Sequence, residues 1–376
     1  MASFSPEDQA IRKTCTKHFH QALWLAGTAS YPKLKVTYST TTNFDNVSLP
    51  AILFIGPMLG TRWYALHFDK LATDCGVRII CVDRPGFGGS TPVTINMRMR
   101  VWIETVPVLL RRLEVEHVAI VTHSAGAVYT LNTLFQHRSL LNPKAPYVAF
   151  LAPWVPTAYS GATLTTTAAK LPTKLLDSYA GLNTFINSKI IPSASWSGGI
   201  ISSVAALLSF PARTEIPGAE TSTSTTPFEL YGFDEDTAKL IEKLSSNYQF
   251  AESTQGVNEE VKLCLRKCDD ADWGEAEDYS SCIRSIAAHE AALSSREPNA
   301  AKLSVEAFFG GSDIMIAKRG QEYFEQCWQN DGATEKVNFN TSTFPAANHD
   351  SVLIDQKKGA LKIVFDRIHE LGKNRG

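Results

Sequence analysis

The stretch HVAIVTHSAGAVYTLNTLF (residues 117–135) places a serine between a strand pattern and a helix pattern. Residues 117–123 form an apolar run of the kind that is buried on both faces of a parallel sheet. Residues 125–139 continue with the apolar spacing of a helix. Ser124 at this junction is packing filler, a helix N-cap, or a nucleophile held on a tight turn. The choice among these readings decides much of what the chain does.

Strand and helix patterns alternate on both sides of this junction. The connections between them are short, which is typical of βαβ units and of a parallel sheet covered by helices on both faces. The sequence therefore predicts an α/β fold with a mostly parallel central sheet. The predicted strands are residues 33–40, 50–56, 77–83, 117–123, 147–154, 303–313 and 336–344. The predicted helices are residues 61–76, 99–115, 125–139, 318–330 and 355–371, after an N-terminal helix candidate.

The alternation stops after Trp154 and resumes at Leu303. The residues between these points read as mostly helix and loop. We therefore expect a core formed by residues 1–155 and 303–376, interrupted by a mainly helical cap or lid at residues 156–302.

The composition is that of an ordinary globular protein. The chain has 376 residues, of which 44% are hydrophobic and 20% charged, and its formal net charge is −2. There is no basic surplus for nucleic acid, and residues 1–15 carry charges where a secretory signal would be apolar. We therefore expect a cytoplasmic protein whose partner is a small molecule rather than nucleic acid. Seven scattered cysteines argue against a disulfide framework, and nothing indicates an oligomeric state.

Residues 190–212 contain no charged side chain and are long enough to cross a bilayer. Pro192, the pair Gly198 and Gly199, and several serines lower the apolar character of this segment. We interpret it as part of the cap, with an apolar face, rather than as an integral membrane span. This interpretation leaves peripheral contact with lipid open.

One group of cysteines invites comparison with a zinc site. Cys264, Cys268 and Cys282 are followed by His289, but their spacing lacks the tight paired knuckles of structural zinc motifs. Cys264 and Cys268 are expected to lie four positions apart on one helix, as half-buried cysteines commonly do. The sequence therefore predicts no metal ion.

A second pattern invites comparison with a dinucleotide-binding loop. Gly86 and Gly88 follow a predicted strand, but the third glycine of that loop is missing and the strand leads into a turn. The chain also contains no P-loop and no His-Glu-x-x-His pattern. We therefore predict that the protein uses no cofactor.

The pentapeptide THSAG (122–126) is close to the pattern G-x-S-x-G of a nucleophile elbow. Small residues are needed two positions before and after the serine because the strand and the helix pack tightly across the turn. Gly126 meets this requirement, whereas Thr122 stands where glycine is usual. The pentapeptide favours the nucleophile reading over the helix cap.

A serine nucleophile needs a histidine base that is itself oriented by a carboxylate. Asp313 directly follows the strand pattern EAFFGG, and His349 lies in the loop after the next strand pattern. Ser124, Asp313 and His349 thus occur in the serine–acid–histidine order of one hydrolase class. Among the rival residues, we read His123 as structural because it is expected to face away from Ser124.

Two further carboxylates compete with Asp313 for the role of the acid. Asp83 belongs to the turn at residues 82–90, where a loop-fixing role is expected. Asp350 adjoins His349 in the chain, and neighbouring residues rarely orient each other's rings in this way. Asp313 is therefore the predicted acid.

The chain resembles the α/β-hydrolase superfamily, in particular fungal members with a large helical cap. VDRPGFGGS (82–90) is similar to the D-x-x-G-x-G-x-S turn of the family, and IGPMLG (55–60) to its H-G-x-x-G oxyanion loop. THSAG (122–126) resembles the elbow, GGSD (310–313) the acid turn, and NHDSVL (348–353) the histidine loop. Residues 55–60 are called the oxyanion loop below.

The resemblance covers residues 33–155 and 303–371 and implies an acyl-transfer site. The N–H of Ala125, at the start of the helix after Ser124, is one predicted oxyanion donor. The resemblance implies the N–H of Met58 as the second donor. Two aromatic residues at the start of the cap, Trp154 and Tyr159, are predicted to contact an apolar substrate.

The predicted activity is hydrolysis of an ester, lactone or thioester of a fairly apolar small molecule through an acyl-enzyme on Ser124. The same triad leaves a biosynthetic alternative open: an acyltransferase, lyase or cyclase. A third alternative is a binding protein without chemistry, but such a protein is expected to lose a triad residue, and none is lost here.

Overall fold

The computed structural model describes residues 4–170, 225–253, 255–297, 299–329 and 336–373. Within these ranges one sheet of eight strands has the order β1-β2-β4-β3-β5-β6-β7-β8. The strands are β1 (Gln21–Leu25), β2 (Leu34–Thr40), β3 (Ala51–Ile55), β4 (Arg78–Val82), β5 (Ala119–His123), β6 (Tyr147–Leu151), β7 (Leu303–Gly310) and β8 (Val337–Phe344). From β4 through β3 to β8 the neighbouring strands are parallel, whereas β2 runs antiparallel to β1 and β4. The predicted mostly parallel α/β sheet is confirmed.

Strands β2 to β8 coincide with the predicted strands, but β1 was not predicted. β1 is a short edge strand that pairs only with β2 and leaves Trp24 exposed between the buried Leu23 and Leu25. β6 ends earlier than predicted, at Leu151 rather than Trp154, because Ala152 takes a positive φ of 41°. β7 also ends early, at Gly310 rather than Asp313.

Helices cover both faces of the sheet, as predicted. They are α1 (Pro6–Thr14), α2 (Tyr64–Cys75), α3 (Arg98–Arg112), α4 (Gly126–Gln136), α5 (Thr157–Ser160), α6 (Thr163–Ala168), α7 (Pro227–Tyr231), α8 (Glu235–Ala251), α9 (Gln255–Leu265), α10 (Tyr279–Arg296), α11 (Ala317–Gln329), α12 (Ser351–Ile354) and α13 (Leu361–Lys373). Leu53 and Ile120 are buried in one cluster with residues of α3 and α4. Ile52 and Val121, one position away, are buried in a second cluster with residues of α2 and α13. This period of two is that of strands buried on both faces.

The described part of the predicted cap, residues 156–170 and 225–302 with two single-residue gaps, contains the helices α5 to α10. It is called the insertion below. Buried residues of α9 and α10 belong to the same cluster as α3 and α4. The charge-free segment 190–212 lies outside the described residues. Among the helices that are described, none is long and apolar enough to cross a membrane.

Two departures from the predicted helices have a local cause. Cys264 and Cys268 do not share a helix, because α9 ends at Leu265 and Arg266 takes a positive φ of 51°. The last helix begins at Leu361 rather than at residue 355. Asp355 closes a turn there, since its side chain accepts hydrogen bonds from the backbone N–H groups of residues 357 and 358.

Candidate active site

Ser124 lies on the sharp turn between β5 and α4. Its φ is +51°, a conformation that residues other than glycine adopt at a cost of about 1–3 kcal/mol. The turn is held to the end of β6, because the Ser124 N–H donates to the Leu151 carbonyl and the Trp154 N–H to the Ser124 carbonyl. A strained serine between a strand and a helix is the geometry of a nucleophile elbow.

Gly126 is the residue that lets α4 approach the sheet at this elbow. A Cβ atom at Gly126 would lie 2.3 Å from the Ile55 carbonyl oxygen and 2.4 Å from Thr122 Oγ1. Thr122, which departs from the family pattern, fits because its hydroxyl donates to the same Ile55 oxygen at 3.0 Å. The threonine therefore replaces glycine without opening the packing, provided that position 126 carries no side chain.

The structure brings together the three predicted catalytic side chains, which lie far apart in the sequence. His349 Nε2 lies 2.9 Å from Ser124 Oγ, and His349 Nδ1 lies 2.8 Å from Asp313 Oδ2. All three residues are buried, with exposed fractions of 4%, 7% and 7% for Ser124, Asp313 and His349. The arrangement is a continuous chain of hydrogen bonds from a hydroxyl through an imidazole to a carboxylate.

The Asp313 carboxylate is fixed by the turn that follows β7. Its Oδ1 atom accepts hydrogen bonds from the N–H groups of Met315 and Ile316 at 2.8 and 2.9 Å. Burial opposes ionisation, but the charge and hydrogen bond of His349 and the two N–H groups together lower the pKa of Asp313. The side chain is therefore a carboxylate at neutral pH, and it faces His349 as a fixed negative charge.

The same contact shifts the pKa of His349 in the opposite direction. Burial lowers its pKa, but the charge of Asp313 and its hydrogen bond outweigh burial and raise the pKa above the ordinary value. Asp350 adds a smaller contribution of the same sign. A histidine with a raised pKa is a better proton acceptor, which suits a general base.

Asp350 and Asp83, the rival carboxylates, make other contacts. Burial raises the pKa of the partly buried Asp350 to about 6, against the opposing effect of His349. The fully buried Asp83 accepts hydrogen bonds from the Thr37 hydroxyl at 2.6 Å and from Arg62 at 2.7 and 2.8 Å. Asp83 thus connects β2 and β4 to the start of α2, which agrees with the loop-fixing role that we expected.

His123 contacts His349, which was not expected from its predicted orientation away from Ser124. Its ring centre lies 5.0 Å from that of His349, and its Nε2 donates to the His349 carbonyl oxygen at 2.8 Å. Burial lowers the pKa of His123 to about 3, so its ring is neutral at neutral pH. The contact supports a structural role for His123, which anchors the backbone of the histidine loop.

The two predicted oxyanion donors lie in different segments of the chain. Ala125 is fully buried and directly precedes α4. Met58 lies in the oxyanion loop and packs, partly buried, against the core. Within this loop the Gly60 N–H donates to the Pro57 carbonyl at 2.8 Å, which makes a tight turn.

The two predicted substrate contacts differ in exposure. Trp154 is 1% exposed, and its indole N–H donates to the Cys264 carbonyl of α9 at 3.3 Å. Tyr159 is 46% exposed and stacks on Tyr323 of α11 with ring centres 4.2 Å apart. Trp154 therefore packs between the core and the insertion, and its burial does not fit the predicted role of a substrate contact, whereas Tyr159 is accessible to a ligand.

One group of side chains in the described part of the chain is close enough to share a metal ion: His123, His349 and Asp350, whose ligand atoms lie within 4.8 Å of one another. Both ring nitrogens of His349 already contact Ser124 and Asp313. A metal ion bound there would therefore compete with the hydrogen-bond chain.

The glycine-rich turn that follows β4 is filled by the protein itself. The Gly256 N–H donates to the Gly86 carbonyl at 2.8 Å, and a Cβ atom at Gly88 would lie 2.2 Å from the Asp83 carboxylate. The turn therefore fixes α9 and Asp83 in place.

A model of the alpha/beta hydrolase family matches residues 52–244, just over half of the chain. The chain belongs to the alpha/beta hydrolase family. Among curated proteins, none matches the chain.

Solved structures with a similar fold can be superposed on nearly the whole chain. A candidate lipase from Acinetobacter baumannii AYE is 11% identical and has a TM-score of 0.54, covering 100% of this chain and 99% of its own. A carboxylesterase of the thaumarchaeon Nitrososphaera gargenis is 13% identical, with a TM-score of 0.50 and coverage of 94% and 100%. An epoxide hydrolase from Vigna radiata is 14% identical, with a TM-score of 0.50 and coverage of 94% and 98%. At these identities the likeness shows the fold alone.

Two residues close to the site were not singled out from the sequence: Arg84 and Glu260. Both are buried, with exposed fractions of 2% and 0%, and they contact each other. The sequence holds one signal for Glu260, which lies among the apolar residues Val257, Val261 and Cys264 on one side of α9. A carboxylate on the buried side of a helix indicates a buried cationic partner, but it does not say which one.

Proposed function

We propose that this alpha/beta hydrolase is a serine hydrolase that cleaves an ester, lactone or thioester of a fairly apolar small molecule. The observation that carries the proposal is the hydrogen-bond chain from Ser124 through His349 to Asp313, at 2.9 and 2.8 Å. The strained φ of Ser124 supports the same role, because a helix cap alone does not require it.

In the proposed reaction, Ser124 Oγ attacks the substrate carbonyl carbon while His349 Nε2 takes the hydroxyl proton. Asp313 holds the imidazole in the tautomer that accepts at Nε2 and stabilises its charged form. His349 then gives the proton to the leaving alcohol or thiol as the acyl–oxygen or acyl–sulfur bond breaks. Water attacks the acyl-enzyme with His349 again as base, which releases the acid and restores Ser124.

The negative charge of the tetrahedral intermediate falls on the former carbonyl oxygen. The N–H groups of Ala125 and Met58 are the proposed donors, and loss of one such donor typically slows turnover by about 10²–10³-fold. The N–H of Ala125 lies next to the nucleophile at the start of α4, where the helix dipole also favours negative charge.

An apolar substrate is favoured by two large side chains that are partly exposed. Tyr159 is 46% exposed, and Ile314, next to Asp313, is 43% exposed. Ligand pockets are lined predominantly by apolar and aromatic side chains. We propose Tyr159 as a substrate contact, and Trp154 as a residue that acts by holding the insertion behind it.

The proposal is tested by labelling the protein with a fluorophosphonate and by turnover of aryl esters of increasing acyl length. The wild type is expected to be labelled and to turn over at least one ester, and Ser124→Ala is expected to lose both activities. Ser312→Ala is the matched control, because the Ser312 hydroxyl donates to the Ala347 carbonyl beside the site and has no contact with His349. Labelling without turnover of any ester would favour the biosynthetic alternative over hydrolysis. Labelling that survives in Ser124→Ala refutes the proposed nucleophile.

A further inference from the structure

Arg84 lies under the oxyanion loop and binds its backbone. The guanidinium Nη1 donates to the Gly56 carbonyl at 2.8 Å. The Nη2 atom donates to the Pro57 carbonyl and, at 3.4 Å, to the Met58 carbonyl. One side chain thus holds three consecutive carbonyl groups of the loop.

The contact with Pro57 has a consequence for Met58, because the two residues share a peptide group. The Pro57–Met58 bond is trans, and in a trans peptide the C=O and the N–H point in opposite directions. A guanidinium that fixes the Pro57 oxygen on one side therefore fixes the Met58 N–H on the other side, away from Arg84. Rotation of this peptide would break the hydrogen bond from Arg84 and bring the N–H against a cation.

Arg84 is in turn held by the insertion. Its Nε atom lies 3.2 Å from Oε1 of Glu260, the buried carboxylate of α9, so the two side chains form an ion pair, although these two atoms do not have the geometry of a hydrogen bond. Glu260 also pairs with Arg98 at 2.5 Å and accepts a hydrogen bond from the Tyr129 hydroxyl at 2.9 Å. These four side chains are almost fully buried, and the guanidinium of Arg84 lies 4.8 Å from the centre of the Tyr129 ring. A buried cluster with this many contacts gives Arg84 little freedom to move.

We propose that Arg84 is a positioning residue that orients the Met58 N–H toward the oxyanion, and that Glu260 of the insertion holds Arg84 for this task. The inference rests on the proposed function, because it assigns a purpose to the loop only if Ser124 generates an oxyanion. It also gives the insertion a role in catalysis that does not require contact with substrate. Arg98 shares the cluster but not the role, since its other hydrogen bond goes to the Pro85 carbonyl.

The test compares Arg84→Lys with Arg98→Lys in the full-length protein. Both variants keep a positive charge near Glu260, and only the first removes hydrogen bonds to the oxyanion loop. Arg84→Lys is expected to lower kcat for the aryl ester by about 10–100-fold, because a misdirected donor costs most of its contribution, with KM changed by less than about threefold. Arg98→Lys is expected to keep kcat within about threefold of the wild type while lowering the melting temperature.

A second measurement reports the oxyanion itself. With a trifluoromethyl ketone, Ser124 Oγ bonds to the carbonyl carbon, its proton passes to His349, and the carbonyl electron pair becomes an alkoxide in the oxyanion hole. The inhibition constant is expected to rise in Arg84→Lys by the same factor by which kcat/KM falls. If Arg84→Lys does not fold, Glu260→Gln supplies the comparison: it removes the charge that holds Arg84 and is expected to lower kcat by about tenfold at unchanged KM.

The inference is overturned if Arg84→Lys keeps its kcat, if only KM rises, or if Arg98→Lys loses as much kcat as Arg84→Lys. A wild-type protein that is not labelled at Ser124 refutes the proposed function instead, and this is known before any Arg84 variant is measured. The two failures are therefore distinguishable.

Discussion

Gly126→Ala is the substitution that tests the elbow most directly. The added methyl group would lie 2.3 Å from the Ile55 oxygen, 2.4 Å from Thr122 Oγ1 and 2.8 Å from the Gly56 oxygen, whereas ordinary contacts of a Cβ atom begin at 3.4 Å. Two of the three atoms are backbone carbonyl oxygens at the end of β3, so they cannot rotate away. The first turn of α4 must therefore move by about 1 Å relative to β3.

The stability cost follows from two opposing effects. Overpacking of a rigid site costs about 1–3 kcal/mol, and here it falls at the upper end because backbone atoms are involved. The higher helix propensity of alanine returns about 1 kcal/mol at most. We expect the free energy of unfolding to fall by about 2 kcal/mol.

Activity is expected to fall further than stability. Ser124 and Ala125 move with α4, whereas Gly56 and the oxyanion loop continue from β3, so the shift separates the nucleophile from one oxyanion donor. A misplacement of about 1 Å costs roughly 10²-fold in turnover. We expect kcat/KM for an aryl ester and the rate of fluorophosphonate labelling to fall together by about that factor.

The assays are urea denaturation and ester kinetics at a temperature where both variants are folded. Gly372→Ala in α13 is the control, because the three atoms nearest to its added methyl group all belong to the ring of Pro50, at 3.0–3.3 Å. We expect that control to change stability by less than about 1 kcal/mol and to leave kcat/KM intact. A Gly126→Ala protein with wild-type stability and full kcat/KM would refute the close approach of α4 to β3.

Four further predictions concern His349, its neighbours and the proposed substrate contact Tyr159. Because Asp313 raises the pKa of His349, kcat/KM of the wild type should fall on the acid side of the pH profile, at a pH above the ordinary histidine pKa of about 6.5. Asp313→Asn should move this acid limb of the profile to lower pH and lower kcat by about 10⁴-fold. Asp350→Asn should shift the limb slightly in the same direction while keeping kcat within about tenfold, and equal losses of kcat in both variants would contradict the assignment of the acid. His123→Phe removes the donor to the His349 carbonyl and should cost about 1–3 kcal/mol in urea denaturation without moving the pH profile, since the pKa of His123 is about 3. Tyr159→Ala should raise KM for apolar esters at unchanged kcat, and an unchanged KM across the acyl series would exclude it as a substrate contact.

Local sequence was enough to predict most elements of the core and the three side chains that form the hydrogen-bond chain. Buried parallel strands carry continuous apolar runs, so β3, β5 and β6 can be recognised without knowing their partners. Ser124 and Asp313 follow the mostly buried strands β5 and β7, and His349 follows the exposed edge strand β8; the carboxyl ends of parallel strands meet at one edge of the sheet. The convergence of the three side chains was therefore predictable even though His349 is separated from Ser124 by 225 positions.

Contacts that depend on the exact placement of one element against another were not predictable. β1 is largely apolar, but its five residues do not encode its antiparallel pairing with β2, which depends on how this edge of the sheet is assembled. The contact of His123 with the His349 carbonyl depends on how the histidine loop folds over β5, which no periodicity encodes. For the same reason the end of α9 before Cys268, where a positive φ interrupts the helix, was missed.

The sequence alone determined that a hydroxyl, an imidazole and a carboxylate share one rim of an α/β sheet, because strand direction and chain order suffice for that result. Only the tertiary structure decided how the surrounding backbone is held: by Arg84 on the oxyanion loop, by Glu260 on Arg84, and by the empty position at Gly126. The physical reason is that charge pairing and steric fit act between atoms a few ångströms apart. Such distances are set by packing of the whole domain, and the residues involved need have no relation in sequence.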